Sequence, residues 1–276
     1  MSMSFAQSLF DISGRVAVVT GGAGVLCSEM CIALARCGAC VAVIDISDDA
    51  ANELVRRIHA DGMKAIAVHA DVTCKDELER ARERILDEFG RVDILVNGAG
   101  GNVPQATATD EISFFDLPEE ALRAVVDLNF FGTLLSCQVF GRTFAEQGEG
   151  VVVNISSVNA IRPLTRVSAY AAAKAAVVNF TKWLAVHMAQ NYSPRIRVNT
   201  IAPGFFITRQ NRYLLIDESG RLTERAKTIL AHTPLGRFGE PRDLIGALIW
   251  LCSDASSFVT GAVVVVDGGF TAFSGV

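Results

Sequence analysis

Tyr170 and Lys174 stand four residues apart in Tyr-Ala-Ala-Ala-Lys, and Ser157 lies thirteen residues before the tyrosine, just past the apolar run 151–155. On a helix, residues four apart share a face, so the ammonium of Lys174 can lie beneath the phenol of Tyr170. An unperturbed phenol titrates near ~10, and a neighbouring cation favours the phenolate, bringing it toward the range useful for proton transfer at neutral pH. Tyr170 is therefore a candidate acid/base, and Ser157 a candidate holder of a substrate oxygen. The same three residues would also suit an ordinary helix with a buried Tyr, a solvated Lys and a serine at a strand end. The chemistry thus depends on a cofactor site elsewhere in the chain.

The N-terminal region supplies one. Residues 15–20 (RVAVVT) form a short apolar, β-branched run, followed by Gly21, Gly22, Ala23 and Gly24 and then by helical periodicity over 25–37, with Val25 and Leu26 opening the helix. Strand, glycine turn and helix in that order aim backbone N–H groups and a helix N-terminus at a pyrophosphate. A second apolar run ends at Asp45, about the ~20 residues downstream where a ribose-binding carboxylate belongs. Asp45 would accept from both ribose hydroxyls and repel a 2′-phosphate, and Ile46 and Ser47 bring no cation, which points to NAD over NADP. A plain turn carboxylate is the other reading of Asp45.

With both halves in view, the chain from about residue 10 to residue 276 resembles the short-chain dehydrogenase/reductase family. The resemblance rests on Thr20-Gly-Gly-Ala-Gly-Val-Leu-Cys27, Asp71 in His-Ala-Asp-Val, Asn97-Gly-Ala-Gly100, Asn129 in Asp-Leu-Asn-Phe, Ser157, Tyr170, Lys174, Pro203-Gly204 and Thr208. It implies a catalytic tetrad of Asn129, Ser157, Tyr170 and Lys174, with Asn129 holding a water on the proton path. It also implies cofactor contacts from the glycine turn, Asp45, Ile46, Asp71, Val72, Asn97, Gly98, Ala99, Gly100, Tyr170, Lys174, Pro203, Gly204, Phe206 and Thr208. The family's opening is Thr-Gly-x-x-x-Gly-x-Gly, and here Val25 and Cys27 fall where its second and third glycines stand, so the backbone at the pyrophosphate is expected to differ.

Short β-branched runs near 15–20, 40–45, 64–69, 92–96, 150–155, 195–201 and 262–266 alternate with longer amphipathic stretches. The pattern predicts an α/β fold: one Rossmann-type, doubly wound parallel sheet of about seven strands with helices on both faces, in a single domain over 1–276. Ligands of such sheets sit beyond the carboxyl ends of the strands. The segment 205–235 interrupts the pattern and is long enough for a lid over the cleft. Its Arg209, Asn211 and Arg212, with Asn102 after the fourth strand and Asn159 and Arg162 after the fifth, are candidate substrate ligands beside Ser157. Arginine pairs bidentately with carboxylate, and amides address hydroxyls. Arg209 and Arg212 would equally suit a solvated lid surface.

The tail from Val266, the loop Gly-Gly-Asn-Val-Pro and the segment Phe-Phe-Ile-Thr-Arg-Gln-Asn-Arg resemble the sugar-acid branch of the family, the D-mannonate oxidoreductases (fructuronate reductases). A gluconate, polyol or 3-oxoacyl carbonyl reductase is the alternative. An enoyl reductase would space Tyr and Lys more widely, and a nucleotide-binding protein without catalysis would lack the acid/base pair.

A net charge of −5 with no basic run argues against nucleic acid, and no signal-like start or unbroken membrane-length apolar stretch is evident, so a cytoplasmic enzyme is expected. Seven cysteines, an odd number, suit free thiols in a reducing compartment, and Cys37 and Cys40 have no companion pair to complete a zinc site. The four histidines are scattered, so no metal is assigned. Apolar residues on several faces of the helices after Leu117 and Val167 predict a homo-oligomer, with a tetramer favoured.

Overall fold

The computed structural model describes residues 4–208 and 211–275. Seven strands, β1 (Val16–Thr20), β2 (Cys40–Asp45), β3 (Ala65–His69), β4 (Ile94–Asn97), β5 (Gly150–Ile155), β6 (Ile196–Pro203) and β7 (Val263–Val266), form one sheet in the order β3-β2-β1-β4-β5-β6-β7. Every pairing is parallel. The winding reverses between β1 and β4, where Thr20 registers with Asn97. That reversal opens a crevice at the carboxyl ends of the strands, the place where such sheets hold ligands.

The helices are α1 (Phe5–Leu9), α2 (Val25–Arg36), α3 (Asp48–Ala60), α4 (Lys75–Phe89), α5 (Glu119–Val126), α6 (Gly132–Gln147), α7 (Ser168–Asn191), α8 (Arg212–Leu215), α9 (Glu224–Ala231) and α10 (Ile245–Cys252). Side chains alternate across a strand, so Ala17 and Val19 join one apolar cluster and Val16 and Val18 the other. The first cluster packs against α2, α3 and α10 through Met30, Leu54 and Leu248; the second packs against α4, α6 and α7 through Leu78, Phe140 and Leu184. Burial on both faces explains why the strands read as unbroken apolar runs. α4 buries Leu78, Ala81 and Ile85 at helical spacing, carries Asp76 and Glu77 in its first turn and ends at Gly90 with φ 76°.

The sequence places the strands to within two residues. It does not indicate the π-helical turn Asp127–Phe131, which joins α5 to α6. The run Glu119–Gln147 is, by length and composition alone, long and apolar enough to cross a bilayer, and about half of its apolar stretch is buried inside the protein. Residues 205–235 hold α8, α9 and a bridge between Ile216 and Leu222, and gather a small apolar cluster of their own around Leu215, Ala226 and Ile229. Arg209 lies outside the described residues.

Candidate active site

A cleft of about 870 Å³ runs along the carboxyl edge of the sheet. The β1–α2 turn forms its floor. Gly21 has φ 60°, and a Cβ there would sit 2.7 Å from the Cα of Ala99, so the turn can approach the β4 loop only because it is glycine. Gly22 is buried behind the turn, Gly24 caps α2, and Gly21, Gly24, Val25 and Leu26 line the cleft. Cys27, at the place of the family's third glycine, packs its thiol against Gly98, where any Cβ would collide with the sulfur. The room that a glycine would leave on α2 is thus supplied from the facing loop. Burial pushes the Cys27 thiol up to about 12, so it stays a neutral packing group.

Asp45 ends β2 with both carboxylate oxygens engaged, Oδ2 accepting from Ala23 N at 3.0 Å and Oδ1 from Ser47 N at 3.0 Å. It is both a turn carboxylate and a cleft wall, held facing the glycine turn. Ile46, Asp71, Val72, Gly98, Ala99, Gly100 and Thr208 line the same cleft. Asp71 accepts from the backbone and hydroxyl of Thr73, and its N–H donates to Glu77. These features fit a dinucleotide: a tight glycine approach, a helix N-terminus, and a fixed carboxylate where a ribose would lie.

Next to Ile155 and Gly100 of the cleft wall, β5 and α7 bring the catalytic candidates together. Ser157 follows β5 with its hydroxyl accepting from Asn159 N at 3.2 Å, and it hydrogen-bonds Tyr170. Lys174 is 4% exposed; its Nζ donates to Ile155 O at 2.9 Å and lies 5.7 Å from the Tyr170 ring centroid. Burial lowers Lys174 to about 8. Burial also raises the Tyr170 phenol, with the Ser157 bond acting in the opposite direction. This corrects the expectation that the neighbouring cation would pull the phenol down: removal of water disfavours the phenolate more strongly, and the same burial weakens Lys174 as a cation.

Asn129 sits in the π-turn, 0% exposed, and its amide is engaged at both atoms: Nδ2 donates to Gly101 O and Val125 O, and Oδ1 accepts from Gly101 N. Its side chain therefore pins the β4 loop. Ser156, which the sequence reading passed over, donates its hydroxyl to Lys174 O at 2.9 Å. The end of β5 thereby grips both the backbone and the ammonium of Lys174. The doublet Ser156-Ser157 was the available signal.

A family profile described as enoyl-(acyl carrier protein) reductase matches residues 24–271. An uncharacterized oxidoreductase, UxuB, from Bacillus subtilis (strain 168) is 48% identical over 275 residues, which are 96% of this chain and 98% of that protein. The chain belongs to the short-chain dehydrogenase/reductase family. Among solved structures, a D-mannonate oxidoreductase candidate from Haemophilus influenza with bound NAD shares 41% identity at a TM-score of 0.91, covering 98% of this chain and 100% of its own. A gluconate 5-dehydrogenase from Burkholderia cenocepacia in complex with NADP and tartrate shares 31% at 0.87, covering 97% and 99%.

Of the residues carried over from the short-chain dehydrogenase/reductase pattern, Asn97, Pro203, Gly204 and Phe206 are not part of the cleft wall. Asn97 is buried in the sheet, where Nδ2 donates to Asn154 Oδ1 at 2.8 Å. Pro203 ends β6, Gly204 packs against Asp267, and Phe206 turns into a separate cavity of about 250 Å³. Arg57, on α3, lines the cleft and brings a cation that Ile46 and Ser47 lack.

Most of the amide and arginine candidates for substrate are committed to the fold. Arg162 donates to Phe270 O and Phe273 O of the C-terminal segment. Asn211 bridges Phe206 O and Thr208 N, and Asn159 Oδ1 accepts from Leu164 N. Arg212 is exposed on α8. Asn102 donates to Val103 O and Thr107 Oγ1, leaving its buried Oδ1 without a partner. Loop closure over long sequence separations consumes these groups, and residue type alone carries no trace of it. The seven cysteines are free thiols, and among the described residues no group of three or more His, Cys, Asp or Glu is placed to hold a metal.

Proposed function

We propose that this protein is an NAD-dependent dehydrogenase acting on the secondary alcohol of a sugar acid, of the D-mannonate/D-fructuronate type. The observation that carries this reading is the Ser157–Tyr170–Lys174 set, whose ammonium abuts Ile155 and Gly100 of the cleft wall, in a cleft that also presents Asp45, fixed by Ala23 and Ser47. The likeness to the NAD-bound Haemophilus structure supports the choice of cofactor and of substrate class. NAD, when bound, supplies the hydride acceptor.

In reduction the neutral Tyr170 phenol, the form that burial favours, gives its proton to the substrate oxygen, and Ser157 donates a hydrogen bond to that same oxygen. Lys174, held by Ile155 O, places positive charge beneath the phenol. In oxidation the proton passes back from the substrate hydroxyl to Tyr170. Segment 205–235, whose apolar cluster is separate from the two sheet cores, acts as a lid that excludes water from the cleft. The enzyme works in the cytoplasm as a homotetramer.

Incubating the protein with NAD and D-mannonate, then with D-gluconate and neutral polyols, and following NADH formation tests the reading. Turnover of D-mannonate above the others is expected; turnover confined to neutral compounds contradicts it. A gluconate 5-dehydrogenase using NADP is the second reading. It is favoured by Arg57 on the cleft wall and by the Burkholderia neighbour that holds NADP and tartrate.

A further inference from the structure

The loop that runs from Ser157 to Tyr170 contains a backbone conflict. Arg166 has φ 79°, the one described residue other than glycine with positive φ. A side-chain-bearing residue is strained there, and arginine has no short polar group to offset the strain. The conformation is locked by Ala108 N, which donates to Arg166 O at 2.8 Å and ties this loop to the one following β4. Among the described residues its guanidinium pairs with Asp110, at 3.6 Å, a carboxylate 97% exposed to solvent.

A second conflict faces the first. Arg225 lies in the first turn of α9, where the helix dipole disfavours a cation. It reaches across from the lid segment, and its Nη1 donates to Thr165 Oγ1 at 3.2 Å. Its remaining N–H groups meet no carboxylate among the described residues. Withdrawal from water lowers its pKa, and the charge of Arg166 lowers it further. The bond to Thr165 thus holds the half-buried Arg225 guanidinium beside the residue that precedes Arg166, across the junction of loop and lid. Local rules that fail together mark a functional place more often than a structural one.

We propose that Arg166 and Arg225 form the seat for the carboxylate of the substrate, one arginine from the loop that carries the acid/base and one from the lid. An anion between them would relieve their repulsion and offer planar, bidentate partners to both. It would also draw α9 onto the loop, so that recognition of the carboxylate and closure of the cleft are one event. This assignment rests on the sugar-acid reading and moves the carboxylate contact away from Arg162, Arg209 and Arg212.

The test compares D-mannonate with D-mannonamide, which has a neutral amide in place of the carboxylate, using NAD and two variants. In Arg225→Gln the ratio of kcat/KM for acid over amide is expected to fall by about 30-fold or more, as for loss of a buried charge-assisted pair. In Arg166→Gly the ratio should fall as well, while the unfolding midpoint stays at or above wild type because glycine tolerates the positive φ. Ratios within twofold of wild type in both variants overturn the assignment and leave the sugar-acid reading standing. If wild type oxidises neither compound, that reading fails, and calorimetric binding of D-mannonate to the NADH-loaded protein decides the seat. Binding lost in Arg225→Gln upholds it. Equal binding, or none in wild type, overturns it, as does a preference for a sugar phosphate.

Discussion

Lys174 shows how one residue is made both a positioned charge and a liability. Its backbone carbonyl accepts from Ser156 and its ammonium donates to Ile155 O, so it cannot move without breaking the junction of β5 and α7. Burial lowers its pKa from 10.5 to about 8. Between those two values the unfolded chain binds the proton and the folded chain does not, so the stability linked to Lys174 rises with pH across that interval. Measured against Lys174→Met, the wild-type unfolding midpoint should improve progressively from about pH 8 to about pH 10.5; a flat or falling difference would refute the buried-ammonium assignment. Asp45 sets the cofactor at the same scale. Removing a charge-assisted bond typically costs about 1.5–3 kcal/mol, so Asp45→Ala should weaken NADH binding by roughly 10-fold or more and shift preference toward NADP, with Arg57 available as a cation. Wild-type preference for NADPH would count against the carboxylate argument. The pairing of Tyr170 with Lys174 was legible from spacing alone, because a helix fixes which residues share a face. The direction of the phenol's shift was not, because it depends on burial that no local spacing encodes.

Among the elements, the β1–α2 turn is the most informative. Its glycines departed from the family's spacing, and the structure resolves the departure across the cleft, with the Cys27 thiol resting on Gly98. These two residues should be coupled. Gly98→Ala alone should destabilise by about 1–3 kcal/mol through overpacking, and adding Cys27→Gly should recover much of the loss. Thermal unfolding of the two single variants and the double decides it; strictly additive effects would mean that the contact carries no energy. The strands were readable because β-branched runs buried on both faces carry their own signature. The π-turn that holds Asn129, the Arg162 bonds to Phe270 and Phe273, and the reach of Arg225 to Thr165 beside Arg166 were not. Each joins residues far apart in sequence or alters hydrogen bonding without altering composition.

At the scale of the molecule, the cleft occupies the carboxyl edge of the sheet, while a groove of about 790 Å³ lies among α4, α6 and α7. The helices beside it carry an aromatic stripe, with Phe180 over Trp183 and Trp183 stacked on His187 at 4.7 Å. Trp183 and Val186 are each 57% exposed and Phe131 45% exposed. Apolar surface gathered on adjoining helices favours association. Light scattering should report a homo-oligomer, with four copies expected, and Trp183→Glu combined with Val186→Glu should reduce it to smaller species. A wild-type monomer at micromolar concentration would contradict this. Apolar excess on these helices could be read from the sequence, whereas which part of it the sheet covers could be read only from the fold.

Hydride transfer itself offers the most direct test. With saturating NAD and D-mannonate, wild type should form NADH, and Tyr170→Phe, which loses only the transferable proton, should fall by about 10²–10⁴-fold while binding NADH nearly as tightly. Retention of more than a few per cent of the wild-type rate by Tyr170→Phe would mean that another group moves the proton and that the site has been assigned to the wrong residue.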